Sequence, residues 1–218
     1  MTVIPFSQAL RERTWGSHGD SEGADFMKDL MEGRGTREDY IALVAQHFFI
    51  YEALEQAASQ FEDEATARPF ISPQLTRLPA IVEDLAFLLG DSWRDQITPL
   101  STTEHYVRRI REIALEGWSG GFIAHHYTRY LGDLSGGQVI RKLMQRQFGF
   151  DTNGVGFYLF DQIAKPREFK ETYRDQLDAV AWDAAERERV IDEVLLAYRF
   201  NTEVFRDLEI AKGRARVA

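Results

Sequence analysis

The sequence predicts an all-α protein in a single domain spanning residues 1–218, and three observations predict it. Apolar residues recur at three- and four-residue steps along most of the chain. Strand-type alternation is scarce. Turn-forming residues mark a handful of breaks, with no internal repeat or low-complexity linker between them. The periodicity is plainest in two stretches: residues 40–57 put Tyr40, Val44, Phe48, Tyr51 and Leu54 on one face, and residues 187–208 do so with Ile191, Val194, Tyr198, Asn201 and Phe205.

Taken in order, the breaks delimit the helices. Gly33-Arg-Gly35 ends a first helix over about 6–32, and a second over about 37–63 stops short of Pro69. A third, about 73–89, ends at Gly90-Asp-Ser-Trp, and a fourth, about 101–115, at Gly117–Gly121. A fifth, about 121–147, gives way to the glycine-rich yet aromatic segment 149–166, which reads as a loop that packs inward. Pro166 suits the first turn of a sixth helix, about 167–177, and a seventh covers about 184–211.

Composition narrows the function classes. Apolar residues make up 44% and charged residues 28%, a balance typical of soluble globular proteins. The net charge of −9 argues against nonspecific attraction to nucleic acid or an anionic membrane. With no cysteine, there are no disulfides, thiolate metal sites, iron–sulfur clusters or thiolate-ligated haem. The opening Met1-Thr-Val-Ile-Pro lacks a basic region followed by an apolar run, and no stretch approaches the roughly 18 apolar residues of a membrane span. The expectation is a cytoplasmic, soluble, unanchored protein.

The most informative local feature is Leu131-Gly-Asp-Leu-Ser-Gly-Gly-Gln138, inside the fifth helix. Each of its three glycines weakens a helix by roughly 1 kcal/mol relative to alanine. Gly132 and Gly136, four apart, share a face, with Arg129 and Asp133 on the adjoining stripe. Bare backbone bordered by a carboxylate suits a flat ligand; close packing against another helix explains the same glycines equally well. The letters LSGGQ also suggest a nucleotide-binding cassette. That reading fails, because the chain has no Gly-Lys dipeptide for a phosphate-cradling loop and no strand–loop–helix alternation.

Five histidines occur, at 18, 47, 105, 125 and 126. Glu22 lies one helical turn beyond His18, where a carboxylate orients an imidazole for metal binding, although a surface pair has the same spacing. His47 reads as a core or boundary residue and His105 as solvated. Adjacent His125 and His126 point to different faces and cannot clamp a metal together. A helical di-iron site needs Glu-x-x-His pairs, and none is present. In the sixth helix Lys170 and Arg174 share a face that fits two carboxylates or phosphates, or a solvated surface with Glu171 and Asp175 as partners.

Together these segments resemble the haem oxygenases. Ala124-His-His-Tyr-Thr-Arg-Tyr-Leu-Gly-Asp-Leu-Ser-Gly-Gly-Gln138 closely matches that family's distal-helix signature. Phe48-Phe-Ile-Tyr-Glu-Ala-Leu-Glu55, Asp84-Leu-Ala-Phe87 and Phe169-Lys-Glu-Thr-Tyr-Arg174 support it in the expected order, ending near Phe200-Asn201. The resemblance implies a multi-helix bundle with haem sandwiched between a proximal N-terminal helix and a kinked, glycine-rich distal helix. It makes His18 the iron ligand, supported by Glu22. Gly132 and Gly136 become the backbone over the iron, and Asp133 the anchor of a water network that includes Tyr51, Arg129 and Asn201. Arg11, Tyr127, Lys170 and Arg174 match positions that meet the haem propionates.

The implied activity is oxidative cleavage of haem at a meso carbon to biliverdin, carbon monoxide and ferrous iron. Haem would be both substrate and prosthetic group, and O2 the oxidant. Without a flavin or nicotinamide fingerprint, the electrons would come from a partner reductase or ferredoxin. A non-degrading haem carrier or sensor is the competing function. Two departures from the family pattern stand out: Gly16-Ser-His-Gly-Asp-Ser-Glu-Gly23 is richer in glycine than the usual proximal segment, and Arg11 replaces a common lysine.

Overall fold

The computed structural model describes residues 4–22 and 24–215, with the side chains of residues 18, 20–22 and 214–215 outside the description. Among the described residues the regular structure is helical, without a strand. The α-helices are α1 (Phe6–Glu22), α2 (Asp25–Met31), α3 (Arg37–Gln60), α4 (Leu78–Leu89), α5 (Ser101–Glu116), α6 (Ser119–Gly132), α7 (Gln138–Phe148), α8 (Pro166–Ala179) and α9 (Ala184–Ala215). One hydrophobic cluster draws side chains from all of them, from Phe6 on α1 to Leu208 on α9. No described helix is long and apolar enough to cross a membrane.

The central element is α6, buried at every residue from Gly120 to Leu131 and packed against α9, α5 and α3. A helix enclosed on all sides must satisfy its polar side chains internally. His125 donates through Nε2 to Glu193 on α9 at 2.9 Å, and Glu193 also receives Arg109 of α5 at 2.8 and 2.9 Å. His126 pairs through Nδ1 with the Tyr173 hydroxyl of α8 at 2.9 Å, and burial pushes its pKa down to about 3. Both imidazoles therefore tie α6 to its neighbours.

Three expected helices begin or divide differently. The helix expected over 6–32 is two helices, because Ala24 adopts an extended conformation (φ −60°, ψ 134°) and starts α2 in a new direction. Despite Gly16 and Gly19, α1 stays helical through Glu22. The helix expected over 73–89 starts at Leu78, with Pro79 in its first turn, where a proline costs no helical hydrogen bond. The Glu55 carboxylate of α3 accepts from the Arg77 and Leu78 amides there, and Pro73–Leu75 is a separate 3-10 turn. Lastly, the helix expected over 121–147 is interrupted between α6 and α7.

The aromatic loop after α7 does pack inward, and a buried carboxylate holds it. Asp84 on α4 accepts from the Gly154, Gly156 and Phe157 amides at 2.8–2.9 Å. Tyr158 consequently lies fully buried against the break in the α6–α7 rod.

Burial alone would raise the Glu193 carboxyl, but the hydrogen bonds from His125 and Arg109 hold it at about 2. A carboxyl lower in the folded than in the unfolded chain stabilises above its unfolded pKa, and loses that contribution as pH falls through the folded value. Glu193 should therefore contribute on the order of 3 kcal/mol above pH 4.5, lost between there and pH 2. Urea unfolding of Glu193→Gln across that window should show lower neutral stability and a flatter acid limb than the parent chain.

Candidate functional site

Between α6 and α7 the rod passes through a five-residue π-helical turn, Asp133–Gly137. A π-turn accommodates one extra residue, which rotates everything after it by about 100° and widens the backbone. The Gln138 side-chain amide braces the turn by donating to the Tyr158 carbonyl at 2.7 Å and the Asp133 carbonyl at 3.3 Å. The glycines there divide their work. A Cβ added at Gly132 would meet nothing within 4 Å, whereas one at Gly137 would come within 2.8 Å of the Tyr158 ring. Close packing explains Gly137; open space explains Gly132.

That space is a cavity of about 370 Å³, within the size range of small-molecule sites. Gly132, Gly136 and Gly137 form part of one wall. Leu43 of α3, Leu131 of α6, Ile140 of α7 and Phe205 of α9 supply apolar surface. From α1 come Arg11, Thr14 and Trp15. The register of α1 sets position 18 on the stripe of Arg11, Thr14 and Trp15, with position 22 one turn further. The side chains expected to matter most there, His18 and Glu22, lie outside the described residues.

The four polar residues expected beside the glycines do come together. Tyr51 of α3 donates a short hydrogen bond to Asp133 Oδ2, Arg129 Nη1 donates to Asn201 Oδ1 at 3.0 Å, and the Arg129 guanidinium lies 5.0 Å from the Tyr51 ring centre. Asp133, Arg129 and Asn201 border the cavity, while Tyr51 stands behind Asp133. Burial raises the Asp133 carboxyl above its ordinary value, against the opposing pull of Arg129 and the Tyr51 hydrogen bond. Burial and the Asp133 charge push Tyr51 far up, so its phenol remains a donor. The Arg129 guanidinium stays charged: burial works against it, and the Tyr51 and Asp133 oxygens outweigh that.

The expected cationic group also gathers at the cavity, with Lys170 just outside its lining. Arg11, Tyr127 and Arg174 line it, and both guanidinium charges act on the Tyr127 phenol. Lys170 donates to the Ser135 hydroxyl at 2.8 Å, linking α8 to the π-turn, and burial followed by the nearby Arg174 lowers its pKa. None of Arg11, Lys170 and Arg174 has an ion-pair partner among the described residues. Glu171, the alternative partner considered from sequence, pairs with Arg167 instead. Carboxylates or phosphates of a ligand match this arrangement.

Among the polar residues on the wall that sequence reasoning missed, His47 and Tyr158 stand out. His47, read as core or boundary, is buried and also borders the cavity; Tyr158 was folded into a generic inward-packing loop. A period of 3.6 identifies an inward face but not whether that face meets core or cavity, so no signal in the sequence separated them. His105 is exposed, as expected.

A cavity lined by bare backbone, apolar side chains, buried polar groups and cations without ion-pair partners among the described residues suits a largely apolar, anionic molecule. The heme oxygenase family model matches residues 4–207. The chain is 34% identical over 206 residues to heme oxygenase 1 of the cyanobacterium Synechocystis sp., covering 94% of this chain and 85% of that protein. It is 35% identical over 206 residues to human heme oxygenase 1, covering 93% and 71% respectively. The crystal structure of the Synechocystis enzyme in complex with heme superposes with a TM-score of 0.91 at 33% identity, covering 97% of this chain and 96% of that one. The chain belongs to the heme oxygenase family.

The two glycine environments give opposite expectations for one substitution. Gly132→Ala should leave the apo protein as stable as the parent or slightly more so, since alanine favours helix by about 1 kcal/mol and meets no neighbour. It should nevertheless perturb the haem absorption spectrum. Gly137→Ala should destabilise by about 1–3 kcal/mol through the clash with Tyr158. Thermal unfolding and haem titration of the two variants check this.

Proposed function

We propose that this chain binds haem in the cavity beside the π-turn and cleaves it at a meso carbon to biliverdin, carbon monoxide and ferrous iron. O2 is the oxidant, and electrons come from a partner reductase or ferredoxin. The observation that carries this reading is the union of open space at Gly132 with the buried carboxyl of Asp133 next to it. A carrier that only holds haem has no use for that combination, and a non-degrading role is not favoured. The hydrophobic cluster, which runs from Phe6 to Leu208, supports residues 1–218 acting as one domain, and we place that domain in the cytoplasm as part of the same reading.

When bound, haem supplies both the iron that activates O2 and the ring that is opened. The residues of the chain do the rest. His18 holds the iron from α1, with Glu22 one turn on to orient its imidazole. Gly132 and Gly136 would present bare backbone to the haem, leaving room for a small ligand beside it. Asp133 holds and passes protons through ordered water rather than touching the reacting atoms. Tyr51 fixes its carboxyl by hydrogen bond, and Arg129, held by Asn201, balances its charge. Arg11, Tyr127, Lys170 and Arg174 receive the propionates, which sets the rotation of the ring and therefore which meso carbon is attacked.

Adding haem, a reductant and air tests the whole reading: the Soret band should fade as biliverdin absorption grows, and a stable band would select the carrier. In His18→Ala the spectrum of the histidine-ligated complex should be lost; unchanged coordination overturns the assignment.

Asp133→Asn should bind haem normally yet form biliverdin on the order of 100-fold more slowly. A normal rate removes Asp133 from proton delivery. Replacing both Lys170 and Arg174 by alanine should raise the haem Kd about tenfold or more and mix the biliverdin isomers. An unaltered Kd and product distribution would remove their steering role.

A further inference from the structure

The hydrogen bonds among Asp133, Tyr51, Arg129 and Asn201 leave part of the polar wall unused. Arg129 engages Asn201 through Nη1, but its Nε and Nη2 have no hydrogen-bond partner among the described residues. The same holds for His47 Nδ1 and the Tyr158 hydroxyl. All three residues line the cavity, and they are 7%, 5% and 0% exposed. They arrive from separate elements: α6, α3 and the loop that Asp84 anchors.

These groups are neighbours. The His47 and Tyr158 rings meet edge-on with centres 6.5 Å apart, and the Arg129 charge acts on both. His47 also faces Phe157 at 4.9 Å and Tyr51 at 6.4 Å. Burial, then the Arg129 charge, drops the His47 pKa well below its ordinary value, so the imidazole is neutral, one nitrogen donating and one accepting. Burial, then the Asp133 charge, raises Tyr158, so its hydroxyl both donates and accepts. Arg129 only donates. Asp133 already balances the guanidinium, so the mixed set suits a neutral molecule rather than an anion. Buried polar groups are seldom left unpaired, and a water with two to four polar partners satisfies such a cluster.

We propose that His47, Tyr158 and the open nitrogens of Arg129 form a second hydrogen-bonding subsite of the cavity. It holds ordered water beside the Asp133 carboxyl, and His47 and Tyr158 are positioning residues for the water that carries protons. The water site stands on the protein alone; its part in catalysis rests on the haem reading above.

Two experiments test the two halves. Tyr158→Phe keeps the ring over Gly137 and removes only the hydroxyl. If that hydroxyl is bonded to water, the folding equilibrium constant of the apo protein falls about fivefold. A raised Tm would mean the group was buried and unpaired, and overturns the site, as does a crystal structure of the apo chain with no solvent within hydrogen-bonding reach of His47 and Tyr158. For the catalytic half, the visible spectrum of the ferric haem complex is titrated with pH, the charged or titratable groups facing His47 among the described residues being Arg129, Tyr51 and Tyr158. His47→Leu should move the midpoint by about half a unit or more, and His47→Gln, which keeps a hydrogen-bonding amide, should restore most of it. Unmoved midpoints in both, with haem bound as in the parent, overturn the positioning role. Failure of the parent chain to bind haem would sink the haem reading instead, leaving the apo experiments to decide the water site.

Discussion

The structure depends on keeping one stretch of backbone bare and open in the middle of its most buried helix. Leaving out side chains there weakens the helix, and an unbraced rod would straighten or fray. The chain solves this by absorbing an extra residue as a π-turn and bracing it from outside. Gln138 grips the turn and the Tyr158 carbonyl together, and the Tyr158 ring fills the space over Gly137. Tyr158 is in turn fixed by a loop whose amides converge on Asp84. Burial outweighs the three amide hydrogen bonds at Asp84 and pushes its pKa up to about 6, so holding the loop costs the carboxylate part of its charge stability. A helix on the far side of the loop thus controls the shape of the cavity wall.

Charge is sorted by depth. Inside, opposite charges are matched: Arg129 against Asp133, and Arg109 against Glu193. Each pair is completed by a neutral partner, Tyr51 or His125, that settles a remaining lone pair. Removing one member would strand a charge in a low-dielectric setting, which costs several kcal/mol. Around the cavity the rule is reversed, and Arg11, Lys170 and Arg174 have no ion-pair partners among the described residues. Unmatched cations are tolerable where water reaches them, and they are useful only if a ligand brings the missing carboxylates.

How much of this was legible in the sequence follows from which physical signal each feature leaves. The long helices were legible because α3 and α9 carry an apolar residue every turn. The division between α1 and α2 was not, since what marks it among the described residues is the extended backbone of Ala24. The glycine pattern announced a special place at 131–138, but not that Gly132 faces space while Gly137 faces a ring. That distinction depends on Tyr158, which arrives from twenty residues away in a loop without periodicity. The α9 stripe makes the same point: Ile191 and Val194 enter the core, whereas Tyr198, Asn201 and Phe205 line the cavity. Motif resemblance supplied Asp133, Arg129, Tyr51 and Asn201 as a group, and it said nothing of His47.

A net charge of −9 and a cationic pocket are compatible because fields in salt solution are local. At physiological ionic strength the screening length is about 8 Å, so a ligand approaching the cavity responds to the charges nearest its mouth. Arg11 and Arg174 both act on Tyr127, and Arg174 on Lys170, so the three cations are linked electrostatically through Tyr127 and Arg174. On the proposed reading, a dianionic haem would be drawn in by its charged edge, and its apolar body would then enter the cavity. The order of events follows from range: electrostatic attraction acts first and orients, and apolar burial then supplies most of the affinity. On the same reading, the buried Arg129 and Asp133 would stay out of the initial encounter, so that recognition and proton handling would fall to different residues of one cavity.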